Sequence, residues 1–178
     1  MKSPSVILRY RDGLDGFLTA VFIAYEEKLL YARMADETAP NDLFSRNIRV
    51  MTDEQKAKRV WKKLSQLWKT EGVKLVLKAL LVSAPERDAV LFSLIKYTLA
   101  NPKQWVLNHY AQDEVLIIHQ WARRVQREVH RMKAFVRFSQ LENGCFYASI
   151  APDFPILPLI APFFATRFAD QIWLIVDI

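Results

Sequence analysis

Residues 128–138 read EVHRMKAFVRF, and this stretch decides how the second half of the chain folds. It ends a helix predicted over about residues 110–133, whose apolar side chains recur at steps of four and three and form a narrow buried stripe. A strand over 134–141 should follow, then the pair Asn143-Gly144, which favours a two-residue type I′ turn, and a second strand over 145–151. The stretch therefore predicts a helix that leads directly into a β-hairpin. The predicted stripe consists of Ile118, Ala122, Val125, Val129 and Met132.

The end of this helix carries a dense set of basic side chains. Cations near a helix C-terminus gain about 0.3–1 kcal/mol each from the helix dipole, and this is one interpretation of the cluster. The other is contact with nucleic acid, because an exposed basic helix face is suited to following phosphates. The cluster is larger than the dipole alone requires, so both interpretations stay open. It consists of Arg123, Arg124, Arg127, His130, Arg131 and Lys133.

Arg137 is a separate case. Pairing across Asn143-Gly144 would set residue 137 opposite residue 150, on the apolar face of the hairpin. A buried guanidinium there needs a carboxylate or an anionic ligand. The sequence therefore predicts either a structural ion pair or an arginine that faces a ligand. The candidate partners for an ion pair are Glu128, Asp153 and Asp177.

Aromatic residues alternate with basic ones along the hairpin. Surfaces that stack the bases of single-stranded nucleic acid have this composition, and so do ordinary sheet cores. Tyr147 would lie on the face opposite Arg137, so one surface should not use both residues. The aromatic residues are Phe135, Phe138, Phe146 and Tyr147.

The rest of the chain predicts further helices and strands. A strand over 6–10 should end in a turn at Asp12-Gly13, and Asp15 should cap a helix over 16–28. Thr52 should open the next helix with a capping box, and Gly72 should break it. The other predicted elements are a loop over 29–47 that can include short strands, strands over 48–51 and 172–177, and helices over 73–83, 86–99 and 157–168. The last of these helices should be kinked or cut short by Pro162.

Length and composition bound the class of protein. A chain of 178 residues with 52% apolar and 25% charged residues predicts one globular domain, with a helical subdomain over about 52–100. The apolar runs are shorter than the roughly 20 residues of a membrane span, so a cytoplasmic protein without a membrane partner is expected. One cysteine and three histidines give no disulfide and no zinc-type spacing, and we expect no metal or cofactor. The net charge of +6 is compatible with an anionic partner.

These elements predict an α+β fold in which helices pack on a small, mainly antiparallel sheet. The hairpin would supply two strands, residues 172–177 a third in the interior of the sheet, and residues 6–10 an edge. The final strand runs to the last residues of the sequence, which is the pattern of a chain whose C-terminal portion is missing.

Five blocks of the sequence resemble a bacterial family associated with DNA metabolism or DNA repair. Its gene often accompanies a radical-SAM protein, and the same domain occurs fused ahead of a uracil-DNA-glycosylase-like domain of the uracil-DNA-binding type. Two departures stand out: Phe163 occupies a position where the family has histidine, which puts any proton-transfer role there in doubt, and family members usually continue past the final strand. The blocks are RDGLDGFLTAVFIAY, MTDEQKAKRV, EVHRMKAFVRF, YASIAPD and ILPLIAPFFATRFADQIWLIVD.

The resemblance implies a role in DNA repair beside a radical-SAM or glycosylase-like partner, and it supplies no catalytic residues. With the basic cluster, it leads us to expect a module that binds single-stranded or damaged DNA. An enzyme acting on nucleic acid, with Glu128, His130 and Asp153 as acid or base, is one alternative. A scaffold that binds only protein is another. The residues expected to bind DNA are Arg123, Arg127, His130, Arg131, Lys133 and Arg137.

Overall fold

The computed structural model describes residues 5–11, 13–40 and 44–178. It is an α+β fold with a β-hairpin in its C-terminal half, as predicted. The strands are β1 (Val6–Tyr10), β2 (Arg33–Asp36), β3 (Arg46–Arg49), β4 (Ser139–Gln140), β5 (Phe146–Ile150) and β6 (Trp173–Asp177). The helices are α1 (Gly13–Glu26), α2 (Glu54–Leu80), α3 (Arg87–Ala100), α4 (Asp113–Phe135) and α5 (Leu157–Arg167), with a short 3-10 turn at Val106–Asn108.

The chain forms two compact units. The first contains the chain up to Lys74 together with Ala84–Ile117, and the second contains Leu75–Ser83 and Ile118–Ile178. The expectation of one domain with a helical subdomain over 52–100 stays a prediction beside this division. In the described part of the chain, no helix combines the length and the apolar character needed to cross a membrane.

The sheet of the first unit is parallel, with strand order β2-β1-β3. All five residues of β1 are buried, which is typical of a central strand that is covered on both faces. The prediction that residues 6–10 form an edge strand is therefore wrong. The predicted antiparallel character is also wrong, because three of the four strand pairings are parallel. Helix α1 connects β1 to β2, and such a crossover brings the second strand back in the same direction.

Helix α2 begins and bends at residues other than those predicted. The carboxylate of Asp53, not Thr52, accepts hydrogen bonds from the backbone N–H groups of Gln55 and Lys56, at 2.9 and 3.1 Å. The helix passes through Gly72 and instead has a kink at Lys69, whose φ is 52°. Gly72 has a packing role, since a Cβ there would lie 2.4 Å from the side chain of Leu107.

Helix α4 contributes the apolar face of the second unit. Ile118, Ala122, Val125 and Val129 are buried as predicted, and Met132 is half-buried. The helix continues to Phe135, two residues beyond its predicted end. Residues 134 and 135 therefore belong to the helix and not to the first hairpin strand, which is shortened to β4.

The hairpin register differs by one residue from the prediction. Ser139 pairs with Tyr147, whereas the two-residue turn would have paired it with residue 148. The loop has three residues, 142–144. The Leu141 N–H donates to the Cys145 carbonyl at 2.8 Å, and the Gly144 N–H donates to the Leu141 carbonyl at 2.9 Å. Gly144 has a φ of +80°, as expected of the last residue of a type I turn followed by a bulge. A shift of one residue exchanges the two faces of the strand.

The end of the chain completes the second sheet, whose order is β4-β5-β6. Strand β6 is parallel to β5 and lies at an edge, not in the sheet interior as predicted. Helix α5 runs from Leu157 past Pro162 to Arg167, so the proline does not confine the helix to its first turn.

In the first unit, β3 begins at Arg46 and ends at Arg49, and each bound lies two residues before the predicted one. The predicted turn at Asp12-Gly13 falls partly outside the described residues, because Asp12 is not among them.

Candidate functional site

The exposed face of α4 is basic, as the sequence predicts. Arg123, Arg127 and His130 are exposed, and Lys133 is half-buried at the end of the helix. With a rise of 1.5 Å per residue, the side chains from Arg123 to Lys133 extend over about 15 Å of helix. Within the described residues, neither Arg123 nor Arg127 takes part in an ion pair. This face therefore offers positive charge that no carboxylate of the described chain neutralises.

A shallow groove lies on the same part of α4. Its volume is about 490 Å³, and its walls are made by the side chains of the helix itself. Arg124 differs from its neighbours because its guanidinium lies 5.5 Å from the ring of Phe154. The groove combines arginine with glutamine, which can donate to phosphate oxygens. Its lining residues are Gln120, Arg123, Arg124, Gln126 and Arg127.

Arg131 belongs to a different arrangement from the rest of the basic face. Its guanidinium donates to Glu128 Oε1 at 2.6 Å and lies 3.6 Å from Asp153 Oδ2. The Glu128 side chain is only 6% exposed, and the same Oε1 accepts the backbone N–H of Asp153 at 3.2 Å. Hydrogen bonding to Glu128 raises the pKa of Arg131, with a smaller contribution from the charge of Asp153. These bonds join α4 to the segment after β5, so much of the charge of Arg131 is already neutralised.

The three residues considered as acid or base do not converge. Glu128 and Asp153 meet at Arg131, while His130 is exposed on the helix. No hydrogen bond or ion pair between described residues joins His130 to either carboxylate. The described ranges also contain no group of three or more histidine, cysteine, aspartate or glutamate side chains that could hold a metal ion.

Arg137 is exposed, so the prediction that it lies buried on an apolar strand face is wrong. Its Nη1 donates to the carbonyls of Ala134 and Val136, at 2.9 and 3.1 Å. The carbonyls in the last turn of a helix lack partners within the helix, and Arg137 supplies one at the end of α4. The predicted ion pair with Glu128, Asp153 or Asp177 is absent from the described residues because residue 137 precedes β4 and never enters the sheet.

A pocket of about 450 Å³, here called the aromatic pocket, lies beside this end of α4. Phe138 contacts three other rings of its wall, with ring centroids 5.6 Å from Phe164, 5.3 Å from Phe168 and 6.3 Å from Trp173. These pairs meet edge to face, which is a favoured arrangement of aromatic rings. The pocket is lined by Lys133, Ala134, Val136, Arg137, Phe138, Phe146, Phe163, Phe164, Arg167, Phe168, Gln171 and Trp173.

The charged groups of the aromatic pocket are all cationic. Lys133 Nζ lies 5.1 Å from the centre of the Phe163 ring, and the Arg167 guanidinium lies 5.8 Å from that of Phe168. Arg137 is the third cation, and none of the described side chains that line the pocket is a carboxylate. A pocket lined by aromatic rings and by cations suits a ligand that combines a flat ring with negative charge.

The family model of a domain of unknown function, DUF4130, matches residues 85–178. The chain belongs to this family. No curated protein and no solved structure matches it. The matched DUF4130 residues include α4, the aromatic pocket and the whole second sheet, whereas the parallel sheet of the first unit lies before them.

The sequence indicated the residues that α4 and the segment after it contribute to the aromatic pocket of this DUF4130 protein. It did not indicate those that α5 and β6 contribute. Lys133, Arg137 and Phe138 come from the stretch that organises the sequence, but Arg167, Phe168 and Trp173 come from α5 and β6. The available signal was the run of four aromatic residues in FFATRFADQIW, residues 163–173, with Arg167 beside Phe168. The predicted helix over 157–168 was expected to be kinked or cut short by Pro162, and no local pattern indicated that its end meets α4. Phe163, noted only for standing in place of a histidine, is part of the pocket wall.

Basic residues also meet at the carboxyl end of the parallel sheet, before the DUF4130 match. Arg11 Nε lies 2.6 Å from Glu37 Oε2, and Arg49 pairs with the other oxygen of the same carboxylate. Hydrogen bonds from Arg11 and then Arg49 hold the pKa of Glu37 below its usual value. Gly16 packs closely behind this end of the sheet, since a Cβ would lie 1.5 Å from the carbonyl oxygen of Arg11. The two arginines therefore share a protein carboxylate.

Proposed function

We propose that this DUF4130 protein is a DNA-binding accessory module in DNA repair or DNA metabolism. It binds through the basic face of α4 and the aromatic pocket at the end of that helix. The observation that carries the proposal is the pairing pattern of the second unit, in which Arg123 and Arg127 have no ion pair among the described residues. Unneutralised cations on an exposed helix are what phosphate contacts require.

The predicted binding residues have different roles in this proposal. Arg123, Arg127 and His130 contact the phosphate backbone along the helix. Lys133 and Arg137 act at the mouth of the pocket, where Arg167 joins them. Arg131 remains near the interface, but its bond to Glu128 gives it mainly a positioning role. The module itself binds DNA and leaves any chemistry to a partner.

The resemblance to domains found beside radical-SAM proteins and fused to uracil-DNA-glycosylase-like domains supports the choice of DNA and of partner. A module of this kind would hold single-stranded or damaged DNA for such a partner. The basic face of α4 supports the phosphate contacts, and the aromatic pocket supports preference for exposed bases.

The test is a salt titration of binding to single-stranded, duplex and uracil-containing DNA, with and without the partner. Replacing Arg127 and Lys133 with alanine should weaken binding and lower the slope of log K against log salt by about 1.4 for single strands. The control replaces Lys62 and Lys63 of α2, which removes the same formal charge from the first unit. Unchanged affinity for every DNA form would overturn the proposal. Tight binding of the partner without any DNA binding would favour the protein scaffold instead.

A further inference from the structure

We propose that the aromatic pocket receives one unstacked base of a DNA strand, while the adjoining phosphate contacts the cations at its mouth. This inference rests on the proposed function, since the strand is delivered along α4. It adds the kind of group that is recognised and the residues that recognise it. The pocket volume of about 450 Å³ is in the range of sites for small organic molecules.

The lining of the pocket selects the chemistry of the ligand. Its rings come from Phe138, Phe146, Phe163, Phe164, Phe168 and Trp173. A base stacks on such side chains whatever its identity, because every base has a π face. Phe164 is buried beneath the pocket, while the other rings are half-buried and retain exposed surface. An aliphatic ligand would fill the space without using the ring faces.

The charges at the mouth exclude a cationic ligand and favour an anionic one. Lys133, Arg137 and Arg167 come from α4, from the segment after it and from α5, and all three line the pocket. Cations that bind phosphate do so best when several donors converge. Gln171 adds an amide that can both donate to and accept from the edge of a base. A flat ring carrying a phosphate fits all three features.

The position of the pocket explains why the base should belong to a strand. Lys133 lies on the same helix as Arg127, about 9 Å further along its axis. Lys133 is also rotated by about 120° around the axis from Arg127, so a strand that contacts both residues passes partly around the end of the helix to reach the pocket. A base in an intact duplex has both faces stacked, so only an unpaired or extruded base could enter. Single-stranded DNA should bind better than duplex of the same sequence.

The first experiment compares an oligomer of about eight thymidines, a length within the usual site size for single strands, with an oligomer of the same length made only of abasic sites. Both carry the same phosphates, so their difference isolates the contribution of the bases. The natural protein should bind the thymidine oligomer between about 5-fold and 150-fold more tightly, which is the range for stacking one base. Equal affinity of the two oligomers would overturn this inference and leave standing the DNA binding along the basic face of α4. Failure to bind either oligomer would overturn both.

Point variants then test whether the preference for the thymidine oligomer arises in the aromatic pocket. Phe163→Leu keeps an apolar wall but removes a ring, and Gln171→Ala removes the amide of an exposed residue, so the second variant tests the pocket even if the first unfolds. Each should reduce the preference for thymidine over abasic oligomer and leave the salt slope unchanged. Phe135→Leu is the matched control, because Phe135 is 69% exposed and does not line the pocket. Two folded pocket variants with the natural preference would overturn the inference.

A free nucleotide and a base within a DNA strand both present a flat ring with a phosphate. Competition with free dTMP distinguishes these two ligands. If dTMP in large excess displaces the thymidine oligomer, and Phe163→Leu abolishes that displacement, the pocket accepts a free nucleotide as well as a base in a strand. If dTMP does not compete while the base preference persists, the pocket acts only on bases that α4 delivers. A third outcome is that dTMP displaces the oligomer equally well from the natural protein, Phe163→Leu and Gln171→Ala. That result would place the base site outside the aromatic pocket and overturn the inference.

Discussion

Each of the two units carries a set of exposed arginines, and the two sets differ in their partners. In the first unit, Arg11 and Arg49 both pair with Glu37 at the carboxyl end of the parallel sheet. In the second, Arg123 and Arg127 form no ion pair with another described residue. The net charge of +6 does not show which of the two arginine sets can bind an anion. The positions of the carboxylates show it, because an arginine that is paired with a carboxylate binds a phosphate less strongly.

The largest expected effect of breaking a charged pair is at Glu128. Replacing it with alanine would remove the acceptor of both the Arg131 guanidinium and the backbone N–H of Asp153. Loss of a buried hydrogen-bond partner costs about 1–3 kcal/mol, which denaturant unfolding at neutral pH would measure. The matched control is Glu142→Ala, in the exposed hairpin loop. Equal unfolding free energies for these two variants would show that Glu128 does not fasten α4 to the segment after β5.

The smallest effect is expected at Glu37, whose arginine partners are about 70% exposed. Such surface pairs contribute little, so Glu37→Gln should barely change stability at neutral pH. The direction in which this small contribution to stability changes with pH can still be predicted. Because the folded-state pKa is lowered, the contribution is complete above the ordinary glutamate pKa of about 4.3. It is lost as the pH falls through the lowered value. Melting curves of both proteins from pH 7 downward should converge; a gap that widens in acid would contradict this sign.

Patterns within one element were predictable from the sequence. The buried positions of α4 follow from the spacing of its apolar residues, and the helix, turn and strand order of the second half is correct. The exposed basic face of α4 follows from the same spacing, since it lies opposite the buried stripe. These features depend on neighbours three or four residues apart, which the sequence displays directly.

Features that depend on one residue more or less, or on distant segments, were not predictable. One additional loop residue before Cys145 changed the hairpin register, and two additional helical residues kept Arg137 out of the sheet. The central position of β1 depends on β2 and β3, which are too short to show a clear alternation. The aromatic pocket combines α4 with α5 and β6, about 30 to 40 residues later. No local pattern in the sequence states that these elements meet.

The comparison of the two arginine clusters is tested most directly by one pair of double variants. Arg123→Ala/Arg127→Ala and Arg11→Ala/Arg49→Ala remove the same formal charge, one from the unpaired face of α4 and the other from the cluster around Glu37. Affinity for a single-stranded oligomer is measured over a range of salt concentrations. We predict that the first variant binds more weakly with a slope reduced by about 1.4, while the second keeps the affinity and slope of the natural protein. Equal losses in both variants, or a loss only in the second, would contradict the account.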